Sequence, residues 1–206
     1  MPDAPAVHLY LGELEPAYRP EYTPNYRRLV RYTIDVSEGG GKLITDSGGP
    51  TKWGISHRGH PDVDIANLSR EGAVEIYYRD YWLQVRGDSL PLEVAAVLFD
   101  GVVNSGDFWP RDGRSDAIQL WQQIVRVEPD GVVGPDTIAA SQKGVRWKVL
   151  QYLVARALWY VELGRQRPGT HGPSVHGWLT RLFALALALG WESGRLADAL
   201  LVERRA

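Results

Sequence analysis

From residue 24 to residue 189 apolar side chains recur three and four positions apart in one segment after another, and one stretch, residues 39–55, breaks that rhythm with glycine. A period near 3.6 commits a segment to a helix with one buried stripe, so the chain is expected to be mainly α, with its β structure confined to one small lobe. Thr23-Pro24 supplies a cap and a proline at the first helical position, and Tyr26, Val30, Thr33 and Ile34 carry that helix toward Glu38. Ser69 caps a helix running to about Trp82, with Ala73, Ile76 and Tyr77 inward. Pro91 opens another, with a stripe of Leu92, Ala95, Ala96, Phe99, Val102 and Val103, closed by Gly106. After a loop at 107–113, Ile118, Trp121 and Val125 continue the pattern, Asp130-Gly131 marks a turn, and Gly134-Pro135 starts a short helix. The strongest run, Val149, Leu150, Leu153, Val154, Ala157, Leu158 and Val161, predicts a long central helix. Beyond a Gly/Pro/His loop at 168–173, helices are expected over 175–189 and 192–203.

The chain has 206 residues, 44% hydrophobic and 23% charged, enough for one well-buried core. A formal charge of -2 leaves no global positive field, so no nucleic-acid partner is expected. The absence of cysteine excludes disulfides, a thiol nucleophile and Cys-ligated zinc. His57, His60, His171 and His176 show no ligand spacing, and neither a metal nor a cofactor is expected. The most apolar segment, Leu182 to Leu189, falls well short of the roughly 20 residues that span a bilayer, so it reads as a buried helix without membrane insertion. Met1 to Pro5 has neither a basic start nor an apolar run, so no signal peptide is visible and synthesis in the cytoplasm is expected. Residues 1–23, with four prolines and Tyr10, Tyr18 and Tyr22, read as an arm that lies against the body or makes an accessory contact. A monomer is the default expectation.

Glu38 closes its helix just before Gly39-Gly40-Gly41, and Asp46-Ser47-Gly48-Gly49-Pro50-Thr51-Lys52-Trp53-Gly54-Ile55 follows as a short ribbon. A carboxyl at the end of a rigid helix, facing glycines that let a ligand approach closely, suits an acid that protonates a glycosidic oxygen. Partial desolvation by Trp53 or Tyr32 would push such a glutamate toward the range of a general acid. The alternative is a solvated residue at a helix end.

The blocks Glu38-Gly39-Gly40, Asp46-Ser47-Gly48-Gly49, Thr51 and Trp53-Gly54-Ile55 resemble the signature of glycoside hydrolase family 108, N-acetylmuramidases found in phage lysis cassettes and bacterial genomes. Phe99-Asp100 with Val103-Asn104-Ser105-Gly106 resembles that family's next block. Asp130-Gly131-Val132-Val133-Gly134-Pro135-Asp136-Thr137 and Gly177-Trp178-Leu179-Thr180-Arg181 resemble its C-terminal predicted peptidoglycan-binding region. The resemblance implies a lysozyme-like helical fold with a small β-hairpin lobe beside the catalytic glutamate. It divides the chain into the arm 1–23 and a muramidase body 24–206, within which 116–190 resembles the binding region. No flexible linker separates that region, so it is expected to be integrated in the same globule.

The same resemblance implies cleavage of the β-1,4 bond between N-acetylmuramic acid and N-acetylglucosamine in bacterial peptidoglycan glycan strands. Glu38 would be the general acid, and Asp46 and Thr51 on the hairpin would hold water or contact the acetamido group. The setting implied is a phage endolysin acting in the periplasm or at the wall after holin-type release, or a virion-associated lysin. Two features depart from the family pattern: Gly41 stands where an aromatic residue is usual, and the loop from Glu38 to the aspartate cluster is one residue shorter. Trp53 and Tyr78 are candidate faces for sugar rings, and Asn104 either contacts an N-acetyl group or terminates its helix. Two other readings remain: a lytic transglycosylase, and a peptidoglycan-binding or structural phage protein with an inactive cleft.

Overall fold

The computed structural model describes residues 14–16, 18–46, 49–105 and 115–190, with positions 46 and 105 described through their backbone. Gly106, the loop at 107–113, the helix expected over 192–203 and most of the arm lie outside these residues. The architecture is mainly helical, with a three-stranded antiparallel sheet as the small lobe.

Helix α1 spans Pro24–Tyr32, with the Thr23 hydroxyl accepting from the Tyr26 amide at 3.3 Å. It reaches Glu38 as expected, but its last stretch, Thr33–Ser37, is a π-helix in which the Glu38 amide donates five residues back to Thr33 at 2.9 Å. Strands β1 (Ile44–Asp46), β2 (Gly49–Lys52) and β3 (Ile55–Ser56) follow in that spatial order. The register sets Ile44 against Thr51, Asp46 against Gly49, and Lys52 against Ile55.

Helix α2 (Arg70–Ile76) is capped by Ser69 and runs into a second π-helical stretch, Tyr77–Trp82, and then the short α3 (Leu83–Val85). Arg86, in the left-handed region at φ 47, ends this rod. Then come α4 (Leu92–Ser105), α5 (Asp116–Val125), α6 (Pro135–Ala140), α7 (Val145–Gln166) and α8 (Gly172–Ala188). The last begins three residues earlier than expected, because Pro173 fits the first turn, where its missing N–H has no intrahelical partner to lose.

Helix α4 is the centre of the fold. Residues Val94 to Val102 are buried all round rather than along one stripe, packed against α5, α7 and the Tyr77–Trp82 turn. Phe99 enters an aromatic cluster with Tyr26, Tyr77 and Trp82 at centroid separations of 5.6 to 6.2 Å, extended on the Tyr26 side by Tyr22 and Tyr78. Helix α7 packs against α4, α5 and α8, but its inward face differs from the aliphatic run. Val149 and Leu153 are buried with Tyr152, Arg156 and Tyr160, whereas Val154, Leu158 and Val161 are exposed. Large rings and one guanidinium, not the most hydropathic residues, select the face. Part of the arm lies along α1: the Glu15 amide donates to the Arg27 carbonyl at 3.1 Å, and the buried Glu15 carboxylate pairs with Arg70.

The Asp130–Thr137 stretch is organised by one buried amide. Gln122 on α5 donates to Asp130 at 2.7 Å, the Val132 carbonyl at 3.0 Å and the Thr137 hydroxyl at 3.1 Å, and accepts from the Gly131 amide at 2.8 Å. Replacing Gln122 with leucine removes these four bonds, the one to the buried Thr137 hydroxyl among them, and is expected to cost about 1–3 kcal/mol. Urea unfolding checks it: a lower midpoint at unchanged slope is the expected result, and an unmoved midpoint contradicts it.

Candidate active site

Glu38 follows the π-helical turn as its C-cap, with its side chain 20% exposed. Gly39 and Gly40, at φ 69 and 78, turn the chain sharply away from the helix end. On one side the carboxyl is bounded by Gly54, at φ +77, where an added Cβ would lie 2.4 Å from both Glu38 Cγ and the Tyr77 hydroxyl. Only glycine fits that position, on grounds of both backbone and space. On another side Glu38 Oε1 accepts a hydrogen bond from Nη1 of Arg181, carried by α8.

Trp53 joins this corner to the helical body. It sits in the left-handed region at φ 57, its indole N–H donates to the Leu68 carbonyl at 3.0 Å, and its own carbonyl accepts from the Tyr77 hydroxyl at 3.0 Å. The Arg70 guanidinium lies 5.6 Å from its ring centroid, held there by Glu15 and Asp35. A Cβ at Gly41 would fall 2.3 Å from the indole. A side chain at position 41 would therefore have to displace the Trp53 ring.

Behind Glu38 lies a buried set of charges. Arg181 Nε donates to Asp100 Oδ1 at 2.6 Å, and Arg156 Nη1 donates to Asp100 Oδ2 at 2.7 Å. Arg156 Nη2 and Asn104 Nδ2 each donate to the Tyr160 hydroxyl at 2.6 Å. Burial pushes the Asp100 carboxyl up, but the two guanidiniums beside it outweigh burial and hold it below the usual carboxylate range. Burial likewise opposes the charge on Arg181, and Asp100 and Glu38 more than offset it. Arg181 Nη2 is buried with no hydrogen-bond partner among the described residues.

Of the residues singled out in the sequence, Glu38 and Trp53 come together, linked through Gly54 and Tyr77. Thr51 sits half-buried on β2 between Ile44 and Ser56. Position 46, at the end of β1, pairs with Gly49 of β2, and its side chain lies outside the described residues. Asn104 belongs to the Tyr160 and Arg156 network behind the acid. Tyr78 packs against Tyr22 and Tyr26, at centroid distances of 4.8 and 5.0 Å. Asp100, Arg156 and Arg181 were not foreseen as site residues; the available signal was a charged residue interrupting a buried helical face. Among the described residues no group of three His, Asp or Glu side chains is placed to hold a metal ion. No helix among them is long and apolar enough to cross a membrane.

Residues 32–106 match the family model described as Glycosyl hydrolase 108. That stretch contains Glu38, the lobe and Asp100, but neither Arg156 nor Arg181. Among solved structures the chain is similar to the "Structure of Brucella abortus SagA", with 26% sequence identity, 80% of this chain and 97% of that chain covered, and a TM-score of 0.62. A likeness over 80% of this chain extends beyond the family-model stretch. No curated protein matches.

Two outcomes follow from this geometry. Gly54→Ala is expected to lower stability by about 1–3 kcal/mol through the left-handed backbone and the crowding of Glu38 and Tyr77, read as a fall in Tm. Because the folded state depresses the Asp100 carboxyl, its ion pairs stabilise fully above the unfolded value of about 3.9 and lose that contribution as pH falls through the lower folded value. The stability gap between wild type and Asp100→Asn should therefore stay constant from pH 7 to about pH 5 and close only in more acid solution. A gap already closing at pH 6 in urea titrations contradicts the assignment.

Proposed function

We propose that this chain, whose residues 32–106 are a glycosyl hydrolase 108 segment, is a lysozyme-type peptidoglycan hydrolase with Glu38 as its general acid. The bond cleaved is the β-1,4 link between N-acetylmuramic acid and N-acetylglucosamine. The observation that carries the reading is the position of Glu38: a partly exposed carboxyl at a helix end, bounded by Gly54 and Arg181 beside the glycine-rich lobe.

The chemistry needs a proton on the leaving oxygen and a water at the sugar carbon. Protonated Glu38 gives its proton to the glycosidic oxygen as the bond to C1 of the muramic acid breaks, and the N-acetylglucosamine leaves as its free 4-hydroxyl. Water adds to the electron-poor C1, held by Thr51 and passing a proton to the Asp46 carboxylate. The exposed part of the Trp53 indole offers an apolar face to a sugar ring. No cofactor enters. We assign the protein the role of a monomeric phage endolysin made in the cytoplasm and reaching peptidoglycan after holin-type release, with a virion-associated lysin as the variant setting.

A second reading has one observation in its favour: the Glu38 carboxyl is engaged by Arg181, which suits a wall-binding protein with a silent cleft. Purified sacculi separate the two. Wild type is expected to release reducing ends terminating in N-acetylmuramic acid, and Glu38→Gln to lose more than about a hundredfold of that activity. Fragments lighter by one water indicate transglycosylation. Equal activity in both proteins removes Glu38 from the chemistry, and binding without release by wild type selects the silent cleft.

A further inference from the structure

The contact that favours a silent cleft has another consequence if the site is active. We propose that Arg181 is the positioning residue of the acid: anchored by Asp100, it holds the Glu38 carboxyl in place and receives the negative charge left there when the proton departs. This rests on Glu38 being the general acid.

Glu38 and Asp100 face Arg181 and Arg156, two carboxyl groups against two guanidiniums, with Asp100 and Arg156 almost wholly buried. The acid-competent state has a neutral Glu38, so the set then carries one excess positive charge. Transfer of the proton to the glycosidic oxygen turns Glu38 into a carboxylate and brings the set to balance. The arrangement therefore favours the state in which the proton has left, so its stabilising effect grows along the reaction coordinate.

The hydroxyls of Tyr77 and Tyr81 lie on the α2 side and that of Tyr32 on the α1 side. Burial pushes Tyr32 and Tyr81 up to about 12 and Tyr77 well above 10, so all three stay neutral in the working range. Asp100 lies behind Arg181. Arg181 is thus the cation in direct contact with the acid among the described residues, and Asp100 keeps it from swinging away.

Position matters as much as charge. Gly54 and Tyr77 close one side of Glu38, and Arg181 closes the other from a helix seated in the core by Leu182, Leu185 and Leu189. A lysine at 181 keeps the charge but lacks the planar fork that meets two carboxylates at once.

The test is the pH–rate profile of sacculus hydrolysis by wild type, Glu38→Gln, Arg181→Lys and Arg181→Met, with circular dichroism melts for folding. If the inference holds, folded Arg181→Met loses roughly 10²-fold in kcat at little change in KM. Arg181→Lys recovers part of the rate. A folded Arg181→Met with wild-type kcat overturns the inference while leaving Glu38 as the acid. Should the Met variant fail to fold, an Arg181→Lys protein of wild-type rate overturns it equally. Inactive wild type removes both this inference and the function it rests on, and is recognised by Glu38→Gln behaving identically.

Discussion

Asp100 can be buried only because Arg156 and Arg181 meet it from two different helices, and much of the molecule is arranged around that requirement. A carboxylate taken out of water is costly unless paired and hydrogen-bonded, and here each oxygen has its own guanidinium. The two pairs tie α4 to α7 and α8 at defined points along each helix, where aliphatic contacts alone would leave their rotation and sliding less determined. An apolar set of the same volume would hold the helices about as firmly, so net stability is a poor reason for keeping four charged groups together. The better reason lies at the edge of the set, where one guanidinium reaches Glu38.

The lobe is joined to the body on a different principle, close approach of backbone and ring. Gly41 leaves room for the Trp53 indole, and Gly54 leaves room for Glu38 and the Tyr77 hydroxyl. Both partners in the second contact issue from π-helical stretches, Glu38 at the end of Thr33–Ser37 and Tyr77 at the start of Tyr77–Trp82. A π turn holds one more residue than an α turn, so it resets the direction in which the following side chains point without ending the helix. Two such turns meet across the Trp53–Gly54 bend.

Much of this was legible because it is local. The caps at Thr23 and Ser69, the start of α4 after Pro91, the length of α7 and the glycine-rich lobe after Glu38 all follow from neighbours within a few residues. Glu38 itself stands out for the same reason. The contact of Arg181 with Glu38 joins residues 143 positions apart, and no periodicity carries information about such a pairing. The inward face of α7 was not legible in its aliphatic run, because Tyr152, Arg156 and Tyr160 rank low on a hydropathy scale yet are buried. The π turns are invisible to a 3.6 period because each alters the count by a single residue.

The chain order of these parts bears on synthesis. The segment carrying Glu38, the lobe and Asp100 is made first, and α8 is among the last elements of the described chain to leave the ribosome. Until then Asp100 lacks one of its two counter-charges, and Glu38 has no guanidinium to lean on. A nascent chain that has not yet reached α8 thus carries the acid without its completing neighbour, so completion of the site waits on synthesis of that helix.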